Sequence, residues 1–332
     1  MTWTKLFLAP LAAGLLLMTG CSGGGEAPAA PTDKPGGETA STGKKLKIGV
    51  SIPAADHGWT AGVVYWANEA KKEYPDVEFN IQTADTPQTQ ISQIETMMTA
   101  GLDGLVVLAT ESAPLTPIAE KVHERGIYLV NVDRGFLKPV ADVFVAGDNK
   151  AFGRMSAEFM VEKLGGKGKI LVLRGIPCTV DSDRYDAAMA VFKEKGIEVL
   201  DSQPGLWNKD KALEVTQAML VKHPKVDAIW ASDDDMAEGV EQALKEAGRT
   251  GVWILGGAGK KEIIKRVMDK DPIFPGNITY PPAMIKNGID ICVADLKAGK
   301  KSGAADQRQE IIDVDVVTPE NAKDFYFPDS PF

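Results

Sequence analysis

An acid and a base stand side by side at the end of a short apolar run. Residues Tyr128 to Val132 are followed directly by Asp133, Arg134 and Gly135. A run of this length, rich in β-branched residues and bounded by turn formers, is typical of a strand buried on both faces of a parallel sheet. Ligands of such sheets bind outside the carboxyl ends of the strands. There a carboxylate, which accepts hydrogen bonds, and a guanidinium, which has five donors, can bind a polyhydroxylated molecule. The alternative is an ordinary ion pair that ends a strand.

Two tryptophans stand in segments that should reach the same edge of a sheet. The loop from Pro53 to Trp59 follows the first strand and places His57 near Trp59, while Trp207 lies between a strand and a helix in the second half. Apolar faces of sugars stack on indole rings, and a histidine can supply a hydrogen bond. We therefore expect a two-sided aromatic clamp. For Trp59, the alternative is a packing role at the start of its helix.

Further charged candidates follow strands of the second half. Three consecutive acids, Asp233 to Asp235, could indicate a cation site, but divalent ions want oxygen ligands at alternating loop positions with a glycine turn. We predict instead that one acid caps a helix and another accepts a hydrogen bond from the ligand. Asp183 and Arg184, which follow another strand, are alternatives for a second charged contact. No metal site is predicted.

Signatures of enzymes are missing from the sequence. It contains no Gly-x-Ser-x-Gly elbow, no P-loop and no dinucleotide-binding glycine turn after the first strand. Gly256 to Gly259 is rich in glycine but comes late, and a tight turn from strand to helix explains it better. We predict no catalytic residue and no cofactor. Cys178 and Cys292 are far apart in sequence and are expected to be buried free thiols, with a disulfide as the alternative.

Strands and helices alternate along most of the chain, which indicates βαβ units and parallel sheets. Predicted strands of the first half are Lys47 to Ile52, Val77 to Thr83, Gly104 to Leu108, Tyr128 to Val132 and Val143 to Ala146, and those of the second half are Lys169 to Arg174, Glu198 to Ser202, Ala228 to Ala231 and Val252 to Leu255. A helix is predicted from Asp183 to Lys195, another from Pro282 to Ala298, and a late strand from Glu310 to Val316. Two successive α/β halves imply two similar domains with a cleft between them.

The N-terminal residues indicate export. Met1 to Lys5 is weakly basic, and Leu6 to Met18 is apolar but short for a transmembrane span. We interpret residues 1–20 as a lipoprotein signal peptide, because Met18 to Cys21 resembles the bacterial lipobox in which the cysteine receives the lipid. The alternative is a secretory signal without lipidation. Residues 21–44, rich in Gly, Ala, Pro, Ser and Thr, are predicted to be a flexible tether.

Several stretches together carry a family resemblance that runs from about Lys45 to Val316. They are Val132 to Arg134, Ala146 to Asn149, Gln203 to Asn208 and Ala231 to Ala237. In order and spacing they resemble the periplasmic sugar-binding proteins of the ribose and galactose type, which are the type I solute receptors of ABC importers.

The resemblance implies the type I periplasmic binding protein fold: two Rossmann-like parallel-sheet domains joined by a three-strand hinge, with the ligand cleft between them. The N-terminal lobe would be 45–147 plus 281–312, and the C-terminal lobe 148–280 plus 313–332. Carried over residue by residue, the ligand contacts would be His57, Trp59, Asp133, Arg134, Asp183 or Arg184, Trp207, Asp233 and Tyr280.

Three positions depart from the ribose type. Asp233 stands where that type has Asn, Ala258 where it has Asp, and Tyr280 where it has Gln at the second hinge. These departures imply that ribose is a poor ligand and that another sugar or an acyclic polyol fits better.

The predicted function is that of an extracytoplasmic receptor, expected as a monomer, that delivers a sugar or polyol to the permease of an ABC importer. It would be anchored to the membrane through Cys21 and face the periplasm or the cell exterior. The alternative is a sensor that presents the bound ligand to a chemoreceptor or sensor kinase. The net charge of −9 argues against a nucleic-acid partner, and no enzymatic function is expected.

Overall fold

The structure is a computed structural model that describes residues 45–55, 58–303 and 306–332. The predicted signal peptide, Cys21, the tether and His57 lie outside the described residues. Elements of the first half are β1 Leu46–Pro53, α1 Gly58–Glu73, β2 Val77–Ala84, α2 Pro87–Thr99, β3 Gly104–Val107, α3 Ser112–Glu124, β4 Tyr128–Val132 and β5 Val143–Gly147. Elements of the second half are α4 Asn149–Lys163, β6 Lys169–Arg174, α5 Thr179–Lys195, β7 Glu198–Pro204, α6 Lys209–Lys222, β8 Ala228–Trp230, α7 Asp234–Glu246, β9 Trp253–Leu255 and α8 Lys261–Met268. The chain then continues through β10 Asn277–Ile278, α9 Met284–Lys297, β11 Arg308–Ile312, β12 Val316–Val317 and a 3-10 helix Ala322–Phe325.

Within the described residues, these strands build two parallel sheets and one short antiparallel pair. The first sheet has the order β2-β1-β3-β4-β5-β11, and the second has the order β7-β6-β8-β9. Strands β3 and β4 are buried along their whole length, as expected of parallel strands covered by helices on both faces. The two-domain α/β architecture predicted from the alternation of elements is confirmed.

Three connections lead from one sheet to the other. The chain leaves the first sheet after Gly147, returns to it after Tyr280 into α9, and leaves it again after Ile312. Strands β10 and β12, which pair antiparallel, lie on the second and third of these connections. The residues beside them therefore sit where the two sheets meet.

The late part of the chain differs from the sequence prediction. The strand expected from Glu310 to Val316 is two strands, because β11 ends at Ile312 beside Gly147 and the chain then crosses to pair Val316 with Ile278. Helix α8 and strand β10 were not predicted. Helix α5 begins at Thr179, four residues earlier than predicted.

Cys178 and Cys292 are both free and buried, which confirms the favoured prediction. Burial raises the pKa of the Cys178 thiol to about 11, so it is a packing group rather than a nucleophile at neutral pH. No helix in the described part of the chain combines the length and apolar character needed to cross a bilayer.

Candidate functional site

A cavity of about 290 Å³, a volume that includes space open to solvent, lies between the two sheets, at the carboxyl ends of their strands. Its lining residues come from both halves of the chain and are Trp59, Asp133, Arg134, Val180, Arg184, Trp207, Asp233, Ala258 and Tyr280. Each of the four strands of the second sheet is followed by a loop or helix that contributes at least one residue to the cavity wall. The position is the one that an open α/β sheet offers to a ligand.

Asp133 and Arg134 form the wall on the side of the first sheet. Both side chains are only 3% exposed, and Asp133 has a φ of 63°, which turns the chain sharply at the end of β4. Arg134 Nη1 donates to the carbonyls of Ala109 and Thr110 at 3.2 and 3.0 Å. Among the described residues, Arg134 Nε has no hydrogen-bond partner, since Asp133 Oδ2 lies 3.9 Å away. A buried guanidinium with an unused donor on a cavity wall suits a ligand oxygen.

Tyr280 closes the cavity on the side of the hinge. Its hydroxyl donates to Asp133 Oδ1 at 2.5 Å and accepts from Asn149 Nδ2 at 3.0 Å. Burial, together with the charge of Asp133, raises the pKa of Tyr280 well above its ordinary value, so the phenol keeps its proton. A Cβ on Gly147 would lie 2.2 Å from the Tyr280 ring, so only glycine leaves room for tyrosine here.

Arg184 extends this network to the second sheet. Its Nε donates to Asn149 Oδ1 at 2.9 Å, and its Nη1 donates to the Ser232 carbonyl at 3.0 Å. The guanidinium carbon lies 3.9 Å from the centre of the Phe152 ring and 4.3 Å from that of Tyr280. Buried hydrogen-bonded networks of this kind fix the positions of their members, so Arg184 is held in place before any ligand arrives.

Asp233 combines the two roles that were expected of separate acids. Its side chain accepts from Met236 N at 2.9 Å as the N-cap of α7, and it also lines the cavity. Asp234 turns away and is fully buried, where it receives hydrogen bonds from the backbone of the turn that contains Ala258. Burial raises the pKa of Asp234 to about 7, although those N–H donors act in the opposite direction.

Both tryptophans line the cavity, and both are buried rather than exposed. Trp59 lies in the first turn of α1, not in a loop, and its Nε1 donates to the Tyr280 carbonyl at 2.9 Å. Trp207 lies 5.1 Å from the guanidinium of Arg134 and covers Gly175, where a Cβ would come within 2.1 Å of the indole. Trp59 therefore packs at the start of its helix and also lines the cavity.

Strained backbone concentrates around the cavity. Outside glycine, the described residues with positive φ are Asp133, Leu206, Trp207, Ser232, Ala258 and Lys270, and all but Lys270 line the cavity or precede a residue that does. Such conformations cost of the order of 1 kcal/mol or more each and persist where the surrounding structure imposes them, often at binding sites.

One predicted site residue within the described part of the chain does not line this cavity. Asp183 lies against a separate cavity of about 980 Å³, beside Asn149, Lys150 and Thr179, where burial raises its pKa. Of the alternatives Asp183 and Arg184, the structure thus places Arg184 in the wall. His57 is outside the described residues. Val180 lines the cavity and was not predicted, because an apolar residue in a helix gives no chemical signal.

The charges of the cavity wall balance. By formal charge, the carboxyl groups of Asp133 and Asp233 match the guanidinium groups of Arg134 and Arg184. Charged donors and acceptors between indole rings suit a neutral molecule with many hydroxyl groups and apolar faces. Within the described residues, no cluster of His, Cys, Asp or Glu is arranged to hold a metal ion.

Comparison with known proteins gives matches over most of the chain. Residues 48–301 match the family described as periplasmic binding protein domain. The xylitol-binding protein of Mycolicibacterium smegmatis is 30% identical over 240 residues, which are 71% of this chain and 68% of that protein. The solved structure of an ABC transporter solute binding protein from Mycobacterium smegmatis with bound glycerol is 26% identical, with a TM-score of 0.78 over 86% of this chain and 99% of that chain. The fructose-binding periplasmic domain of a hybrid two-component system is 27% identical, with a TM-score of 0.76 over 85% of this chain and 93% of that chain.

These matches agree with the geometry. The residues that line the cavity between the two parallel sheets, the first two of the three connections and the strand-end Asp133-Arg134 pair all lie within the region that the family match spans. By sequence and by fold, the chain belongs to the periplasmic binding protein family.

Proposed function

We propose that the protein is an extracytoplasmic receptor that binds a sugar or polyol between two lobes, closes on it and delivers it to an ABC importer. The observation that carries this proposal is a charge-balanced cavity walled by Asp133 and Arg134 from one sheet and by Arg184, Trp207 and Asp233 from the other. A ligand that contacts both walls stabilises the closed arrangement by its differential affinity for the two states.

The lobes that close are 45–147 plus 281–312 and 148–280 plus 313–332. Sheet membership supports this division, since β1 to β5 and β11 share one sheet and β6 to β9 share the other. The three connections between the sheets are the hinge, and Tyr280 lies on one of them. A hinge of a few chain crossings allows rigid-body closure without disturbing either core.

Calorimetry with a panel of pentoses, hexoses and polyols tests the binding function. We expect one member of the panel to bind tightly, and Asp133→Ala and Arg134→Ala each to weaken that binding at least about ten-fold, because both leave buried polar groups of the ligand unpaired. Arg174→Ala is a matched control, since Arg174 also ends a strand and pairs with Asp181 but does not line the cavity. Binding that survives both wall substitutions unchanged would place the ligand elsewhere.

Membrane attachment through Cys21 is part of the proposal. It is supported by the apolar segment Leu6 to Met18, the lipobox-like residues that follow it and the tether composition of residues 21–44. The family to which the chain belongs works outside the cytoplasm, which agrees with an export signal.

Sensing is the second candidate function. Its support is the likeness to the fructose-binding domain of a hybrid two-component system. Transport and sensing use the same cavity and the same closure, so they differ only in the partner that recognises the closed form. Co-purification of the sugar-loaded protein with a permease or with a sensor kinase separates them.

A further inference from the structure

The first turn of α1 is held by a carboxylate that belongs to the other lobe. Helix α1 packs on β1, β2 and α9 of the first lobe, whereas Asp235 lies in α7, which packs on α6 and β9 of the second. Gly58 N donates to Asp235 Oδ2 at 2.8 Å, and Asp235 Oδ1 accepts from Lys260 Nζ at 2.9 Å. Asp235 does not line the ligand cavity. Asp235 therefore connects the two lobes but is not one of the residues that would contact the ligand.

A second contact lies directly beside the first. Phe332 is 5% exposed and fills a notch between Gly58 and Gly62, one turn apart on α1. A Cβ on Gly58 would lie 3.2 Å from Phe332 Cδ2, and a Cβ on Gly62 would lie 3.3 Å from its Cβ and 2.7 Å from Pro282 Cγ. The two glycines leave the space that the phenylalanine occupies.

The segment that carries Phe332 starts on the second lobe. The 3-10 helix Ala322–Phe325 packs against α8, and Phe325 and Tyr326 pack on the core of the second sheet. Lys261 Nζ, at the start of α8, donates to the Ser330 carbonyl at 2.7 Å. From there the chain reaches α1 of the first lobe within two residues. This segment thus crosses from one lobe to the other outside the three hinge connections.

We propose that Asp235 and Phe332 form a latch that holds the lobes closed independently of ligand contacts. This inference rests on the lobe closure of the proposed function. Opening must separate Asp235 from Gly58, and it must withdraw Phe332 from its notch or pull Ser330 from Lys261. The latch enlarges the fraction of molecules in the closed, binding-competent form, and apparent affinity scales with that fraction. Residues outside the cavity thereby tune the affinity for the sugar.

Distances between spin labels in the full chain test the latch before any sugar is added. Labels are placed at Lys71→Cys on α1 and Val221→Cys on α6, in a background that carries Cys21→Ser, while the buried Cys178 and Cys292 stay unlabelled. We expect Asp235→Asn and Phe332→Ala each to shift the distribution to longer distances. For Asp235→Asn the open fraction should rise about ten-fold, the effect of losing one charge-assisted hydrogen bond.

Each latch variant has a matched control. Glu238→Gln also removes an ion-pair partner of Lys260, but the ion pairs that the described residues form with Glu238, through Lys260 and Lys209, stay within the second lobe. Phe327→Ala removes an aromatic ring from the same segment at a position that is 63% exposed. Both controls should give the wild-type distribution. Circular dichroism melting verifies that every form is folded.

The outcomes separate the latch from the closure on which it rests. If Asp235→Asn and Phe332→Ala both match the wild type without sugar, while a sugar of the panel at saturation shortens the distances, the latch is refuted and closure stands. If neither sugars nor variants change the distances, closure itself is refuted, and the latch with it. Longer distances in both variants but not in the controls establish the latch.

Discussion

Tyr280 is a large, buried residue in the cavity wall. Its ring is 2% exposed, lies edge-on to Phe152 and tilts against Trp59, with ring centres 6.0 Å apart in both pairs. Asp133 lines both the candidate ligand cavity and the separate cavity of about 980 Å³. The Tyr280 hydroxyl donates a hydrogen bond to Asp133. The Tyr280 phenol therefore fills space in the cavity, and it uses a hydrogen-bond acceptor, Asp133 Oδ1, that a ligand hydroxyl would otherwise use.

A smaller hinge residue should change which sugar is accepted. We expect ribose to bind the wild type weakly and Tyr280→Gln at least about ten-fold more tightly, because the shorter amide frees both volume and the Asp133 acceptor. Titration calorimetry with ribose and xylitol measures the change for both forms. Tyr65→Gln is the control, since Tyr65 is 41% exposed and outside the cavity. Sub-micromolar binding of ribose by the wild type would contradict the expectation.

Sequence reasoning predicted residues of the cavity wall where chemistry and strand ends coincide. Asp133 and Arg134 follow a buried strand directly, so their place in the wall could be inferred from order alone. The choice between Asp183 and Arg184 could not be made from the sequence, because the two are adjacent in α5 and only the folded structure shows that Arg184, and not Asp183, lines the cavity. Burial of both tryptophans could not be inferred, since it depends on Tyr280 and Gly175, which are distant in sequence.

At the scale of elements, Asp295 ties helix α9 to two strands of the first sheet. Its carboxylate accepts from the Tyr128 hydroxyl of β4 at 2.6 Å and pairs with Arg308 of β11 at 2.9 Å and with Lys300 at 2.8 Å. Burial alone would raise its pKa, but the hydrogen bonds from Lys300, Tyr128 and Arg308 lower the pKa of Asp295 below its ordinary value. The ionised form therefore stabilises the fold.

Replacing this carboxylate should destabilise the first lobe in a pH-dependent way. At pH 7 we expect Asp295→Asn to lower the free energy of unfolding by about 1–3 kcal/mol, the usual cost of losing hydrogen bonds to a charged group. Because the folded pKa is lowered, the stabilisation is present above the unfolded pKa of about 3.9 and is lost as the pH falls through the folded value. The difference between wild type and variant should thus shrink below about pH 4.

Urea unfolding of both forms at neutral and acidic pH measures this difference. Asp269→Asn is the control, because Asp269 pairs with Lys265 on an exposed helix surface. Such pairs contribute about 0–1 kcal/mol. A variant whose deficit stays constant down to the acid range would show that the carboxylate acts through packing and not through its charge.

The elements missed by sequence reasoning lack local signals. Helix α8 has eight residues and begins after Lys260, whose side chain makes no capping hydrogen bond, so no N-terminal signature marks its start. Strand β10 has two residues and pairs with β12, which lies almost forty residues later in the chain. Its existence depends on the packing of the two lobes and not on the pattern around it.

At the scale of the whole molecule, the alternation of elements was sufficient to predict two parallel sheets with a cleft between them. Their strands alternate with helices of regular period. Because crossover connections between parallel strands are almost always right-handed, few sheet topologies are compatible with this order of elements. The order of the first sheet could not be completed from sequence, because β11 joins it after the chain has built the whole second sheet. The contact of Phe332 with α1 could not be predicted for the same reason, because it joins residues near opposite ends of the described chain.

The remaining prediction concerns how the molecule is held at its site of action. We expect the wild type to partition into membranes and Cys21→Ser to remain in solution with unchanged sugar affinity, because residues 21–44 separate the lipid from the lobes. Fractionation of cells and metabolic labelling with a radioactive fatty acid measure attachment, and calorimetry measures binding. Cys178→Ser is the control, since that thiol is buried and should leave labelling unaltered. Equal fatty-acid labelling of the wild type and Cys21→Ser would refute lipidation at Cys21 and leave a cleaved secretory signal as the explanation of the apolar N-terminal segment.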